Sequence, residues 1–211
     1  AYRTHQPVSP LVSTFPDLTI DDAYQIQLAQ VVQWVADGRR VLGRKVGLTS
    51  PAMQAQMKVS QPDFGHLMDD MFFAEHAPVP AGRFLQPRAE PEVAFVLGRD
   101  LVGPGVTVAA AAAAVDFVLP ALEIIDSRIA DWQIGIVDTI ADNASSGGVV
   151  LGSTARRIGE IDLRLGGCVL HRNGEIAGTG AGGAVLGSPL NSLAWLANTL
   201  GAHGEGLQAG Q

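Results

Sequence analysis

Apolar residues recur at helical spacing in TIDDAYQIQLAQVVQWVADG (residues 19–38), where Tyr24, Leu28, Val31, Val32 and Val35 share one face. Thr19 ahead of two acids predicts an N-cap, and Gly38 a stop. SPLNSLAWLANTLG (188–201) repeats the pattern, with Ser188 and Pro189 at its start, Leu190, Leu193, Ala194, Ala197 and Leu200 in phase, and Gly201 at its end. Ser50 and Pro51 predict a short helix after the strand-like RKVGLT, which puts Lys45 on or beside a strand. From Phe84 onward the texture is that of strands: residues 90–97 and 117–125 predict two, joined by the alanine-rich 107–116 as a capped crossover helix, so that they can lie side by side. Asn173-Gly174 between two alternating runs predicts an antiparallel hairpin. The sum is a mixed α/β fold, with a helical N-terminal portion over 1–80 and a mixed-sheet domain over 81–211.

The alternation raises a question of its own. In QPRAEPEVAFVLGRD (86–100), Glu90 and Glu92 fall on the same face as Ala94 and Val96, and their Cα atoms are roughly 7 Å apart. Glu123, in VLPALEIID, is a third acid in an apolar strand. Taken singly, each reads as a solvated strand-edge residue or a partner of Arg88, Arg99 or Arg128. Taken together, three buried carboxylates would cost several kcal/mol each, or take up protons, unless cations or a metal compensate them. All-oxygen ligation by three carboxylates suits Mg²⁺ or Mn²⁺ and leaves coordination positions open. Lys45 reads alone as a snorkelling surface lysine; beside the acids it would offset their charge and bind a carboxylate or move a proton. Asp63, in QPDFG, reads alone as a turn residue capping its own backbone. ADNASSGG (141–148) is either an ordinary loop or a wall of hydrogen-bond donors.

Composition narrows the field. The chain has 211 residues, 47% hydrophobic and 17% charged, with 25 glycines, which bounds it to one sizeable, turn-rich globular domain or one domain with a small lobe. A net charge of −7 offers no basic field for a nucleic-acid backbone, so no nucleic-acid partner is expected. The single cysteine, Cys168, excludes an internal disulfide framework and a Cys-rich zinc site, which fits a cytoplasmic setting. No apolar run reaches the roughly 18–20 residues that cross a bilayer, so no membrane partner is expected either. Gly178, Gly180 and Gly183 satisfy G-x-G-x-x-G but follow the hairpin instead of opening a helix, so the dinucleotide context fails. The histidines show no paired ligand spacing, and no serine sits in a nucleophile elbow. The chain opens without Met and closes on the turn-like GLQAGQ, so both ends are expected to be cut.

GRKVGLTS, QPDFG, QPRAEPEVAFVLGRD, LPALEIIDSRIADW and DTIADNASSGG, in this order, resemble the 2-hydroxypenta-2,4-dienoate hydratases (2-keto-4-pentenoate hydratases) of aromatic meta-cleavage pathways, members of the fumarylacetoacetate hydrolase superfamily. The similarity runs over residues 21–211. It implies a fumarylacetoacetate hydrolase-like β-roll or mixed sheet with flanking helices, from which the C-terminal strands are missing here. It implies Glu90, Glu92 and Glu123 as ligands of Mg²⁺ or Mn²⁺, and catalytic or substrate-contacting roles for Lys45, Asp63, Ser145 and Ser146. The implied reaction is metal-assisted ketonisation of a 2-hydroxydienoate followed by addition of water at C4, giving 4-hydroxy-2-oxopentanoate or a homologue. The implied setting is a cytoplasmic homo-oligomer acting on a small molecule, with a pathway decarboxylase or aldolase as a partner. Two other readings stand beside it: a 2-oxo-3-hexenedioate (4-oxalocrotonate) decarboxylase of the same superfamily, and a non-catalytic scaffold subunit.

Overall fold

The computed structural model covers Ala1–Gln211. The chain begins with a short helix α1 (Leu11–Thr14), the long helix α2 (Ile20–Ala36) and strand β1 (Val41–Gly47). Next come α3 (Pro51–Met57), β2 (Asp63–Met68), the two-residue β3 (Phe72–Phe73) and β4 (Arg88–Leu97). Helix α4 (Val108–Ala114) leads directly into β5 (Val115–Ile125), followed by α5 (Ile136–Ala141) and β6 (Ser146–Leu151). Strands β7 (Gly167–Arg172) and β8 (Glu175–Ala181) precede the last helix, α6 (Pro189–Ala202). The strands form a four-stranded sheet of order β3-β6-β5-β4 and two antiparallel pairs, β1-β2 and β7-β8. No helix is long and apolar enough to cross a membrane.

The chain divides into two compact units. The first comprises Ala1–Gly47, Ala55–Glu90 and Leu122–Leu151. Here α2 starts at a reciprocal cap: the Asp22 N–H donates to Thr19 Oγ1 at 3.2 Å and the Thr19 N–H to Asp22 Oδ2 at 2.9 Å. The helix buries Ala23, Tyr24, Gln27, Val31 and Trp34, whereas Leu28, Val32 and Val35 face outward. The buried stripe therefore sits beside the one that hydrophobicity picks out. It includes a glutamine because the Gln27 amide donates to Phe64 O (3.0 Å) and Ile140 O (2.8 Å), and its carbonyl lies 2.9 Å from His66 Nδ1. A satisfied amide is cheap to bury, and this one joins α2 to β2 and α5. Tyr24 stacks on Phe64 with ring centroids 4.6 Å apart. Around them Leu67, Met68, Met71, Ile140 and Val149 complete the core.

The second unit comprises Leu48–Gln54, Pro91–Ala121 and Gly152–Gln211. Ser50 Oγ accepts from the Met53 N–H and starts α3, as its sequence predicts. Thr107 caps α4 by accepting from the Ala110 N–H at 3.1 Å. The fully or nearly buried Ala111 and Ala114 let α4 pack on α6, which contributes Leu193, Ala194, Ala197 and Leu200 to this core. The hairpin β7-β8 turns at Asn173-Gly174, both with positive φ, as an Asn-Gly pair favours.

Candidate active site

Lys45 lies near the end of β1, where Gly65 of β2 is its partner, and Gly47 pairs with Asp63. The antiparallel register thus brings Lys45 and Asp63 together although 18 positions separate them. Gly47 is where no side chain fits: a Cβ there would press on Asp63 Oδ1 and come within 3.2 Å of Lys45 Nζ. Neither residue behaves as it reads alone. Lys45 is buried, donating to Ala144 O at 2.9 Å, with its Nζ 3.5 Å from Glu123 Oε2. Asp63 is a strand residue only 2% exposed.

The turn that receives Lys45 joins α5 to β6. Asn143, Ala144 and Ser145 all have positive φ, a conformation costing roughly 1–2 kcal/mol per non-glycine residue, so the surroundings must impose it. Asn143 docks on the backbone of β2, accepting from the His66 N–H (2.7 Å) and donating to His66 O (2.9 Å). Opposite Lys45, Gly65 leaves room for this approach, since a Cβ there would drive into Asn143 O. Arg128 holds the other side: Nε and its backbone N–H donate to the Asp142 carboxylate, Nη2 to Asp142 O and Nη1 to Ser146 O. Burial pushes the Asp142 carboxyl up, and the Arg128 charge opposes that rise. The Ser146 hydroxyl donates to Asn143 O at 2.7 Å and so belongs to the turn itself. The Ser145 hydroxyl is buried 3.3 Å from Thr139 Oγ1, which in turn donates to Asp63 Oδ2 at 3.3 Å. Burial raises the Asp63 carboxyl above its ordinary value, against the pull of Lys45 and the Thr139 hydroxyl. The Tyr24 phenol is raised by burial and by the charge of Asp63, so it stays protonated at neutral pH.

The three glutamates converge. Carboxylate oxygens of Glu90, Glu92 and Glu123 all lie within 4.8 Å of one another, Glu123 buried and the other two half-buried. The strand start leading into Glu90 is fixed by Asp126, which accepts from the Leu85 and Gln86 N–H groups. At an effective dielectric near 20, each pair of like charges at that spacing repels by about 3 kcal/mol, roughly 10 for the three pairs, while one lysine at 3.5 Å returns about 5. A divalent cation suits this donor set, since three carboxylates are the hard oxygen ligands such an ion takes.

The sequence points to the acids, Lys45, Asp63 and the serines, but not to Thr139, Arg128 or the Ala144 carbonyl. Thr139 looks like one more residue of a short helix, and a backbone carbonyl leaves no mark in composition.

No protein-family model matches the chain. Over all 211 residues it is 51% identical to a 2-keto-4-pentenoate hydratase of Paraburkholderia xenovorans (strain LB400), covering 78% of that protein. The chain belongs to the 2-keto-4-pentenoate hydratase family. A 4-oxalocrotonate decarboxylase from Pseudomonas putida G7, solved with magnesium and adipate, is similar to it along its whole length at 37% identity, with a TM-score of 0.96 and 80% of that chain covered. A fumarylacetoacetate hydrolase from Exiguobacterium antarcticum shares the fold at a TM-score of 0.57 and 17% identity, over 80% of this hydratase-family chain and 59% of the other. The mixed α/β architecture is thus that of the fumarylacetoacetate hydrolase family.

Proposed function

We propose that this chain is a metal-dependent hydro-lyase that adds water to 2-hydroxypenta-2,4-dienoate or a homologue to give 4-hydroxy-2-oxopentanoate, in the meta-cleavage catabolism of aromatic compounds. The carrying observation is the convergence of Glu90, Glu92 and Glu123 within 4.8 Å beside a buried lysine, in a chain 51% identical to a named hydratase. Glu90, Glu92 and Glu123 would hold Mg²⁺ or Mn²⁺, which when bound supplies Lewis acidity toward the substrate's C1 carboxylate and C2 oxygen. Lys45, its ammonium aimed between Glu123 and Ala144, carries the positive charge that attracts a substrate carboxylate. Asp63, whose proton affinity burial raises, serves the proton transfers of ketonisation and of hydration at C4. Ser145 supplies a hydroxyl beside them, and Ser146 holds the turn that carries it. The same reading makes the protein a cytoplasmic homo-oligomer, associated with a pathway decarboxylase or aldolase.

The test is consumption of the dienol, followed by ultraviolet absorbance with and without Mg²⁺ or Mn²⁺. Glu90→Gln, folded normally, is expected to lose the metal-dependent rate; full activity in that variant would sink the assignment. The similarity to a 4-oxalocrotonate decarboxylase keeps a second reading, decarboxylation of 2-oxo-3-hexenedioate. Carbon dioxide release from that dicarboxylate, measured beside hydration of the dienoate, separates the two.

A further inference from the structure

The Thr139 hydroxyl has one proton and two neighbours: Asp63 Oδ2 at 3.3 Å and Ser145 Oγ at 3.3 Å. All three side chains are buried, with exposures of 5% or less, so water does not substitute for a missing contact. Three groups of different elements face Asp63: Lys45 from β1, Tyr24 from α2 and Thr139 from α5. Lys45 also reaches Glu123, and Thr139 is the one whose hydroxyl joins Asp63 to Ser145.

We propose that Thr139 is a positioning residue whose hydroxyl links Asp63 to Ser145 and fixes the direction of the Ser145 proton. This rests on the hydratase reading for its catalytic meaning, and on geometry for the link itself. An ionised Asp63 can only accept, so the Thr139 proton points at Oδ2 and the Thr139 oxygen accepts from Ser145. Ser145 then offers lone pairs, and no proton, to anything else beside it. When Asp63 is protonated the order reverses: Asp63 donates to Thr139, Thr139 to Ser145, and the Ser145 proton is released to another acceptor. Apart from the proton that Asp63 itself takes up, only the Thr139 and Ser145 O–H directions change, and Thr139 reports to Ser145 whether Asp63 holds its proton. Contacts of 3.3 Å are at the long end for hydroxyls, as catalytic hydrogen bonds often are before substrate draws them together.

Thr139→Val keeps the shape and removes the hydroxyl; Thr139→Ser keeps the hydroxyl. With the full chain and Mn²⁺, Thr139→Val is expected to lower kcat by about tenfold to a hundredfold, the scale of a misplaced catalytic group, with KM and Mn²⁺ affinity nearly unchanged. Thr139→Ser is expected to restore kcat. If valine blocks folding, Thr139→Ala against Thr139→Ser gives the same comparison, since both lack the methyl and only serine keeps the hydroxyl. The carbon-13 titration of the Asp63 carboxyl, which needs no turnover, is expected to move upward in Thr139→Val and to stay put in Thr139→Ser, because the hydrogen bond favours the ionised form. An unmoved titration, wild-type kcat in Thr139→Val, or equal impairment by serine and alanine would each overturn the link. A wild-type chain that fails to hydrate the dienoate would overturn the reaction assigned above, and the carboxyl titration would still decide the link.

Discussion

Asp63 shows what a site can ask of one residue. An aspartate at the first position of a fully buried strand, 2% exposed, loses its hydration, and Lys45 with Thr139 returns only part of it. Its carboxyl is therefore raised above the ordinary 3.8. Between that value and the higher native one, the folded state binds more protons than the unfolded state, so stability falls as pH rises through this window. Asp63→Asn removes that dependence. In the metal-free protein the variant is expected to gain on the wild type in urea midpoint as pH goes from below 3.8 to neutrality, while hydration is lost. A difference between the two proteins that does not vary with pH would contradict the raised carboxyl. At this scale the sequence was half informative. Glu90, Glu92 and Glu123 stand out because acids are out of place on apolar strands, and they do converge. Lys45 and Asp63 read one at a time as surface and turn residues, because what buries them is a cross-strand register and a turn roughly 80 to 100 positions away.

The turn between α5 and β6 carries more of the site than any helix. Three consecutive residues at positive φ stay there because Asn143 clamps β2 and Arg128 clamps Asp142 and Ser146 O. Arg128→Met would leave the buried Asp142 carboxylate without its cation, at a cost of about 3–5 kcal/mol. Adding Asp142→Asn removes the orphaned charge, so the double variant is expected to recover part of that loss; chemical denaturation of the three variants measures it. A double variant no more stable than Arg128→Met alone would show that the ion pair is not what holds the turn. Helices α2, α3, α4 and α6 and the Asn-Gly hairpin were legible because caps, periodicity and turn residues are local signals. Strand β6 was not. Its opening SGG has no apolar period, and it is made a strand by its place between β3 and β5 in the four-stranded sheet, with β3 pairing in parallel at Val149 and Val150. The buried face of α2 shares only Tyr24 and Val31 with its hydrophobic stripe for a related reason: Gln27 counts as polar in any pattern, yet two carbonyls and a histidine satisfy it inside.

For the whole molecule, charge is the organising quantity. The chain is acidic, at −7, and it concentrates three carboxylates within 4.8 Å of one another. Their mutual repulsion, offset in part by Lys45, weighs more on the folded state than on the unfolded chain, where Glu123 is no longer held beside Glu90 and Glu92. A cation that fills the cluster therefore binds the native state in preference, and its binding free energy adds to stability. At about one hundred times its dissociation constant, such an ion contributes about 2.7 kcal/mol, which for a chain of 211 residues corresponds to roughly 5–10 °C in Tm. Thermal unfolding in EDTA and with increasing Mn²⁺ is expected to show that rise in the wild type. Glu123→Gln removes one ligand, one of the repelling charges and the carboxylate beside Lys45 together, so this variant is expected to gain little from Mn²⁺. Equal gains in both proteins would place the bound ion away from these glutamates. Loss of the gain in Glu123→Gln would tie the stability of the fold and the chemistry of the site to the same three side chains.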